Sequence, residues 1–199
     1  MPSGYALIPQ VSFYGCCLVC VMKKRITHSC LATPIDKITR SIEGRVDGVS
    51  HSTIVVSIST SNSNLLLPAE SWKFDWSSEL LNSKRAVYGL VLEDDASRIQ
   101  GLMSVERKAD HIHVHLLESG MQNIGKRKEY LGVPGNLIAF ACLQAIALGL
   151  DGSVAFYAKT GLINHYSEML RAKYIGGQLM VIYPEDALFL IARYKPKLL

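Results

Sequence analysis

With 199 residues, 49% of them hydrophobic, the chain carries enough apolar side chains for one ordinary domain with its own core, which excludes disorder and a small disulfide-stapled scaffold. The formal charge of +4 and an isoelectric point near 8.8 are mildly basic, and the cations are scattered except at Lys23–Arg25 and Lys126–Lys128; that balance admits an anionic ligand and does not select nucleic acid. No apolar run approaches the ~20 residues that a membrane-spanning helix needs, so no membrane partner is expected.

Residues 1–21 read as an apolar, Cys-rich N-terminal extension. Tyr5 to Met22 has no basic residue ahead of its apolar stretch, as a secretory signal would, so a cytoplasmic location is expected. Met22 followed by Lys23-Lys24-Arg25 looks like an ordinary start, and a single domain is expected over residues 22–199, the extension being non-native. Cys16, Cys17, Cys20 and Cys30 crowd this region, and Cys17-x-x-Cys20 with His28-x-Cys30 has zinc-ligand spacing. No second knuckle follows and the surroundings are apolar, so small buried cysteines are expected there and no metal.

Ile54 to Ser59 is a β-branched run that reads as a strand, followed by a turn cluster from Ser59 to Asn64. Trp72-Lys73-Phe74-Asp75-Trp76 leads into a short helical patch around Glu79 to Leu81. Two strands come next, Ala86 to Glu93 and Ile99 to Glu106, joined by the polar hairpin connection Asp94–Arg98. In the strand from His111 to Leu117, His111, His113 and His115 alternate with Ile112, Val114 and Leu116 until Leu117 breaks the period, which predicts a β-bulge or the strand's end. The three histidines would share a face, but no carboxylate or cysteine is assigned to it by sequence; a solvated or partner-covered polar face is the expectation, and no metal.

Tyr130 to Gly152 is the most informative stretch. Gly132-Val133-Pro134-Gly135 opens a helix, expected from Gly135 to Leu148, that is apolar almost all the way round, with Cys142 as a core residue and Gly149 as its C-terminal stop. Such a turn offers free backbone N–H groups and the positive end of a helix dipole to an anion, and Pro134 suits the first turn because its missing N–H costs nothing there. A strand from Val154 to Ala158, a helix from Gly161 to Arg171, and a closing pair, Gln178 to Tyr183 with Ala187 to Tyr194, complete the chain. The sum is an α/β domain whose sheet is largely antiparallel, with a strand–turn–helix crossover in its middle.

From about Trp72 to its end the chain resembles the GNAT acetyltransferase superfamily. The resemblance rests on the order of elements, on the Gly132–Gly135 turn opening a helix, on the strand Val154–Ala158, and on His165 to Ala172 ahead of the last strands. More narrowly, it resembles bacterial GNAT-like proteins that share WKFDW, IQGL, NIGK, YLGVPGN, AFAC and AKTGLINHY, all present here. The chain departs from the usual glycine pattern of the loop, and Arg171 stands where a glycine commonly follows the last helix.

The resemblance implies a GNAT-like mixed, largely antiparallel central sheet flanked by helices. The reaction it implies is attack of a primary amine on the thioester of acetyl-CoA, the co-substrate. Leu116 and Leu117, at the splayed strand, are then expected to meet the pantetheine arm and the thioester oxygen. Gly132, Val133, Gly135 and Asn136 are expected to take the pyrophosphate, Lys126 and Lys128 the 3′-phosphate, and Asn164 the pantetheine. Tyr166 is the expected acid for the leaving thiolate, a phenol with an ordinary pKa of about 10 holding its proton at neutral pH. Glu118 is the expected base, with Glu106 and His115 as competitors and Asp75 and Glu79 as candidate lining of the acceptor pocket. The partners implied are acetyl-CoA and an amine acceptor, a homodimer being compatible and nucleic acid disfavoured. The alternative is a non-catalytic GNAT-like protein that serves as a CoA-binding or protein-interaction module.

Overall fold

The computed structural model describes residues 32–34, 42–61, 63 and 72–194. The expected extension over residues 1–21, the set Cys16, Cys17, Cys20, His28 and Cys30, and Lys23–Arg25 all lie outside them. An eight-stranded sheet runs in the order β1 (Ala32–Pro34), β4 (Thr53–Ile58), β5 (Ala86–Leu92), β6 (Ile99–Arg107), β7 (Ile112–Ser119), β9 (Val154–Tyr157), β11 (Leu179–Ile182) and β10 (Lys173–Gly176). Every neighbouring pair is antiparallel except β7 with β9, which is the crossover that the sequence places mid-chain. A second, small sheet joins β3 (Ser50–His51), β2 (Ile42–Gly44) and β8 (Tyr130–Leu131).

The apolar helix is α2 (Val133–Ala147), and it begins two residues before the expected Gly135 because Val133 and Pro134 already take helical conformation. It is apolar all round because its first three turns are covered all round, only Ile146 and Ala147 at its far end being exposed: Leu137, Ile138, Phe140 and Ala145 join one core cluster with Met103 and Val114 of the sheet and with Ala187, Leu190 and Ile191 of α4 (Pro184–Tyr194). Cys142 is buried in that cluster, and burial pushes its thiol up to about 12, so it stays protonated. The opposite face of the sheet carries α1 (Trp76–Leu81), whose Trp76 packs on Val56, Val87, Val91 and Leu102. Among the described residues no helix is long and apolar enough to cross a membrane.

The closing pair differs from expectation. Leu179–Ile182 pairs with Lys173–Gly176 and with β9, while Ala187 to Tyr194 belongs to helix α4. Its buried residues Ala187, Leu190 and Ile191 recur at the helical and not the strand period, Pro184 starts the first turn, and Glu185 and Asp186 complement the dipole there. Ahead of it, α3 (Ile163–Leu170) ends on Arg171 at φ 54°, the left-handed terminator that a glycine more often supplies. The guanidinium carbon of Arg171 lies 3.4 Å from the ring centroid of Phe189, a stacking contact that offsets the backbone cost.

Candidate functional site

Strand β7 changes partner along its length. It pairs with β9 only at Ile112↔Val154, His113↔Ala155 and Val114↔Phe156, yet it continues against β6 as far as Ser119. Past Val114 the two parallel strands part, and Leu116 to Ser119 have no strand partner on that side. The expected bulge is present one residue earlier than Leu116: Ser104 faces Leu116 and Val105 faces Val114, which leaves His115 as the extra residue. The side-chain parity therefore flips, so that Leu116 packs with the α1-side cluster and Leu117 with the α2-side cluster.

The mouth of this wedge meets the start of α2. Gly132 has φ 89°, a left-handed value that strains any residue with a Cβ, and it supplies no side-chain cap to the helix. The Asn136 N–H bonds the Gly132 carbonyl at 2.9 Å, whereas Val133 and Gly135 N–H lie in the unpaired first turn. Asn136 is 1% exposed; its Nδ2 donates to the same carbonyl at 3.2 Å and its Oδ1 has no partner among the described residues. Helix and sheet approach closely here because Gly101 has no side chain: a Cβ on it would lie 2.6 Å from Val133 Cγ1 and 3.1 Å from the Glu118 carbonyl oxygen.

The segment that leads into this turn is held from three sides. β8 pairs with β2, Arg98 forks onto Glu129 at 2.9 and 3.1 Å, and the buried Gln100 takes hydrogen bonds from Gln122 and Asn123, whose Oδ1 in turn accepts the Tyr130 N–H at 3.1 Å. Lys126 is exposed and Lys128 half-buried on the loop so fixed, and neither forms an ion pair among the described residues.

Tyr166, on α3, sits at the apex of the wedge. Its ring meets Phe156 edge-on at 5.3 Å, and Phe156 belongs to the last rung that joins β7 to β9. The side chain is half-buried against the core, burial pushes its pKa up, and its hydroxyl makes no hydrogen bond among the described residues. Asn164, two residues before it, is exposed.

Glu118 is 5% exposed and its carboxylate receives the Lys73 N–H at 2.6 Å, the Phe74 N–H at 3.4 Å and the Trp76 indole N–H at 2.9 Å. It thus ties the 72–76 segment to the open half of β7. Sequence reading missed this, since the partners lie more than 40 residues away in the chain. Glu79 turns away from that segment, taking Arg85 and the Ser104 hydroxyl, while Asp75 caps α1 through the Ser77 N–H.

The histidines share a face as expected, and they line a cleft of about 760 Å³ with Tyr157, Val181 and Tyr183. Among the described residues no cluster of His, Cys, Asp and Glu is placed to hold a metal ion. His115 Nε2 meets Glu106 at 2.8 Å and Lys108 meets it at 2.7 Å; chiefly Lys108, then His115, hold the Glu106 carboxyl down to about 2. Burial first, then the neighbouring His115 and His111, push His113 down to about 4. Both groups bind protons more readily in the unfolded chain than in the folded one, so acid favours unfolding through each. Stability is expected to fall between the ordinary 6.5 of histidine and about 4 through His113. A further fall is expected between 4.5 and about 2 through Glu106. Urea midpoints recorded against pH check this: His113→Gln is expected to flatten the upper part of the decline and leave the lower part.

No family model matches the chain, and no curated protein matches it. Among solved structures the chain is similar to a chain of the KacTA–DNA complex, at 12% identity over 71% of this chain and 99% of that one, with a TM-score of 0.46. It is similar to a GNAT-family acetyltransferase from Staphylococcus aureus, at 12% identity over 67% and 99% of the two chains, with a TM-score of 0.46. It is also similar to GCN5 from Tetrahymena, at 13% identity over 73% and 96%, with a TM-score of 0.45.

Proposed function

We propose that this protein binds acetyl-CoA and transfers its acetyl group to a primary amine. The observation that carries the reading is the parting of β7 and β9 after the Val114↔Phe156 rung, with Tyr166 at the apex and the uncapped first turn of α2 at the mouth. From Val114 to Glu118 the strand rises by ~13 Å, a length suited to an extended pantetheine arm lying along the unpaired edge of Leu116 and Leu117. The N–H groups of Gly132, Val133 and Gly135 take the pyrophosphate, Lys126 and Lys128 the 3′-phosphate, and Asn164 a polar group of the pantetheine. Asn136 braces the turn from beneath, its Nδ2 donating to the Gly132 carbonyl at 3.2 Å.

The amine nitrogen attacks the thioester carbonyl, a C–N bond forms, the C–S bond breaks, and the thiolate takes a proton from Tyr166. The phenol is restored by the proton that the amine loses, the surplus proton of the original ammonium going to solvent at the open mouth. In this reading Glu118 positions the 72–76 segment, because three donors already occupy a carboxylate with ~four acceptor sites.

Calorimetric titration of acetyl-CoA into the full chain tests the reading. Micromolar binding is expected, lost in Gly132→Glu with Gly135→Glu and weakened in Lys126→Glu with Lys128→Glu, which alters the loop's surface and not the helix start. A folded wild-type chain that binds no acetyl-CoA overturns it. The packing of Tyr166 on the core favours the second reading, a CoA-binding module without turnover, and binding without thiol release in the presence of any amine would establish that one.

A further inference from the structure

We propose, resting on the acetyl-transfer reading, that the acceptor is a monoamine on an apolar aromatic body, held in the pocket of Trp72, Phe74 and Trp76, and not a polyamine or an aminoglycoside. The pocket measures about 520 Å³ and is walled by these rings together with Leu80 and Leu81, with Asp75 at its rim. Trp72 and Trp76 meet edge to face at 6.4 Å; Trp76 is buried beneath, so the half-buried Trp72 and the exposed Phe74 are the rings that a planar guest meets. The pocket adjoins the reacting centre through Phe74. Its N–H reaches Glu118 on β7, and its ring lies 5.9 Å from Nζ of Lys159, two residues past β9, so Phe74 bridges the mouth where the two strands part.

Charge decides between classes of amine. A polycation needs several carboxylates free to face it, and each acidic side chain near this pocket is already engaged. Glu118 takes three donors, Glu79 takes Arg85 and Ser104, and Asp75 takes the Ser77 N–H and the Ser78 hydroxyl. Lys73 lines the pocket and Lys159 stands over Phe74, so additional ammonium groups would meet like charge. One ammonium is different, because it needs no free carboxylate: the half-buried ring of Trp72 accepts one cation, and an aromatic body fills the apolar remainder.

The pocket carries its own reporter, because Trp72 and Trp76 are the chain's two tryptophans. The experiment titrates 2-phenylethylamine, spermidine and kanamycin into the full chain, with and without coenzyme A, under tryptophan-selective excitation. A saturable emission change is expected with 2-phenylethylamine alone. Phe74→Ala and Leu81→Lys replace side chains that are 39% and 77% exposed, so both variants fold, and each is expected to weaken the response by roughly tenfold. No response to 2-phenylethylamine, an equal or stronger response to spermidine or kanamycin, or a response that both variants leave unchanged, overturns the proposal. Since the readout is amine binding, acetyl-CoA binding that persists while the aromatic amine fails would sink this inference and leave the acetyl-transfer reading standing.

Discussion

Tyr166→Phe is expected to lower kcat for acetyl transfer by about 10²- to 10⁴-fold while leaving the KM for acetyl-CoA within a small factor, the usual signature of a lost proton donor. The substitution removes one oxygen and keeps the ring, so the edge-on contact with Phe156 at 5.3 Å survives. The hydroxyl makes no hydrogen bond among the described residues, so no buried partner is orphaned and stability should change by less than about 1 kcal/mol. A tyrosine that only packs would predict the opposite pair of results: unchanged kcat in Tyr166→Phe and a loss of stability in Tyr166→Ala alone. Burial raises the pKa of the phenol, which keeps the proton in place at neutral pH until a thiolate forms beside it. Thiol release followed against pH distinguishes the cases, because a lost acid slows the variant across the whole range.

The parts of this site that the sequence reveals are those set by local chemistry. Gly132 and Pro134 announce a helix start whatever the rest of the chain does, and the helix indeed begins there with Gly132 at a positive φ. The alternation of histidines in β7, and its interruption, likewise reads from neighbours two residues apart, although the bulge falls on His115 and not between Leu116 and Leu117. What stays hidden is set by tertiary contact. β2, β3 and β8 are two or three residues long, too short for any period, and they exist because they pair with one another. Ala187 to Tyr194 is apolar enough to pass for a strand, and only the spacing of the residues that meet α2 identifies a helix. Glu118 shows the limit most plainly, since a carboxylate at a strand end reads as solvent-facing or catalytic until the segment that folds back onto it is seen.

Glu118→Ala is accordingly expected to cost about 3 kcal/mol or more, since it leaves the Trp76 indole N–H and the Lys73 and Phe74 backbone N–H groups without an acceptor in a largely buried site. For a chain of this length that corresponds to a fall in Tm of roughly 6–12 °C, with Glu118→Gln in between because its amide oxygen still accepts. The same variants separate anchor from base. An anchor loosens the 72–76 segment, so at a temperature where the variant remains folded KM for the amine rises, tryptophan emission shifts with Trp76, and the pH dependence of kcat keeps its shape. A base lost from the reaction would instead depress kcat steeply in Glu118→Gln, erase the alkaline rise of the pH profile, and leave Tm near that of the parent. Denaturation and pH–rate curves on one preparation therefore decide whether the three hydrogen bonds to Glu118 hold the acceptor wall in place or merely accompany a proton transfer.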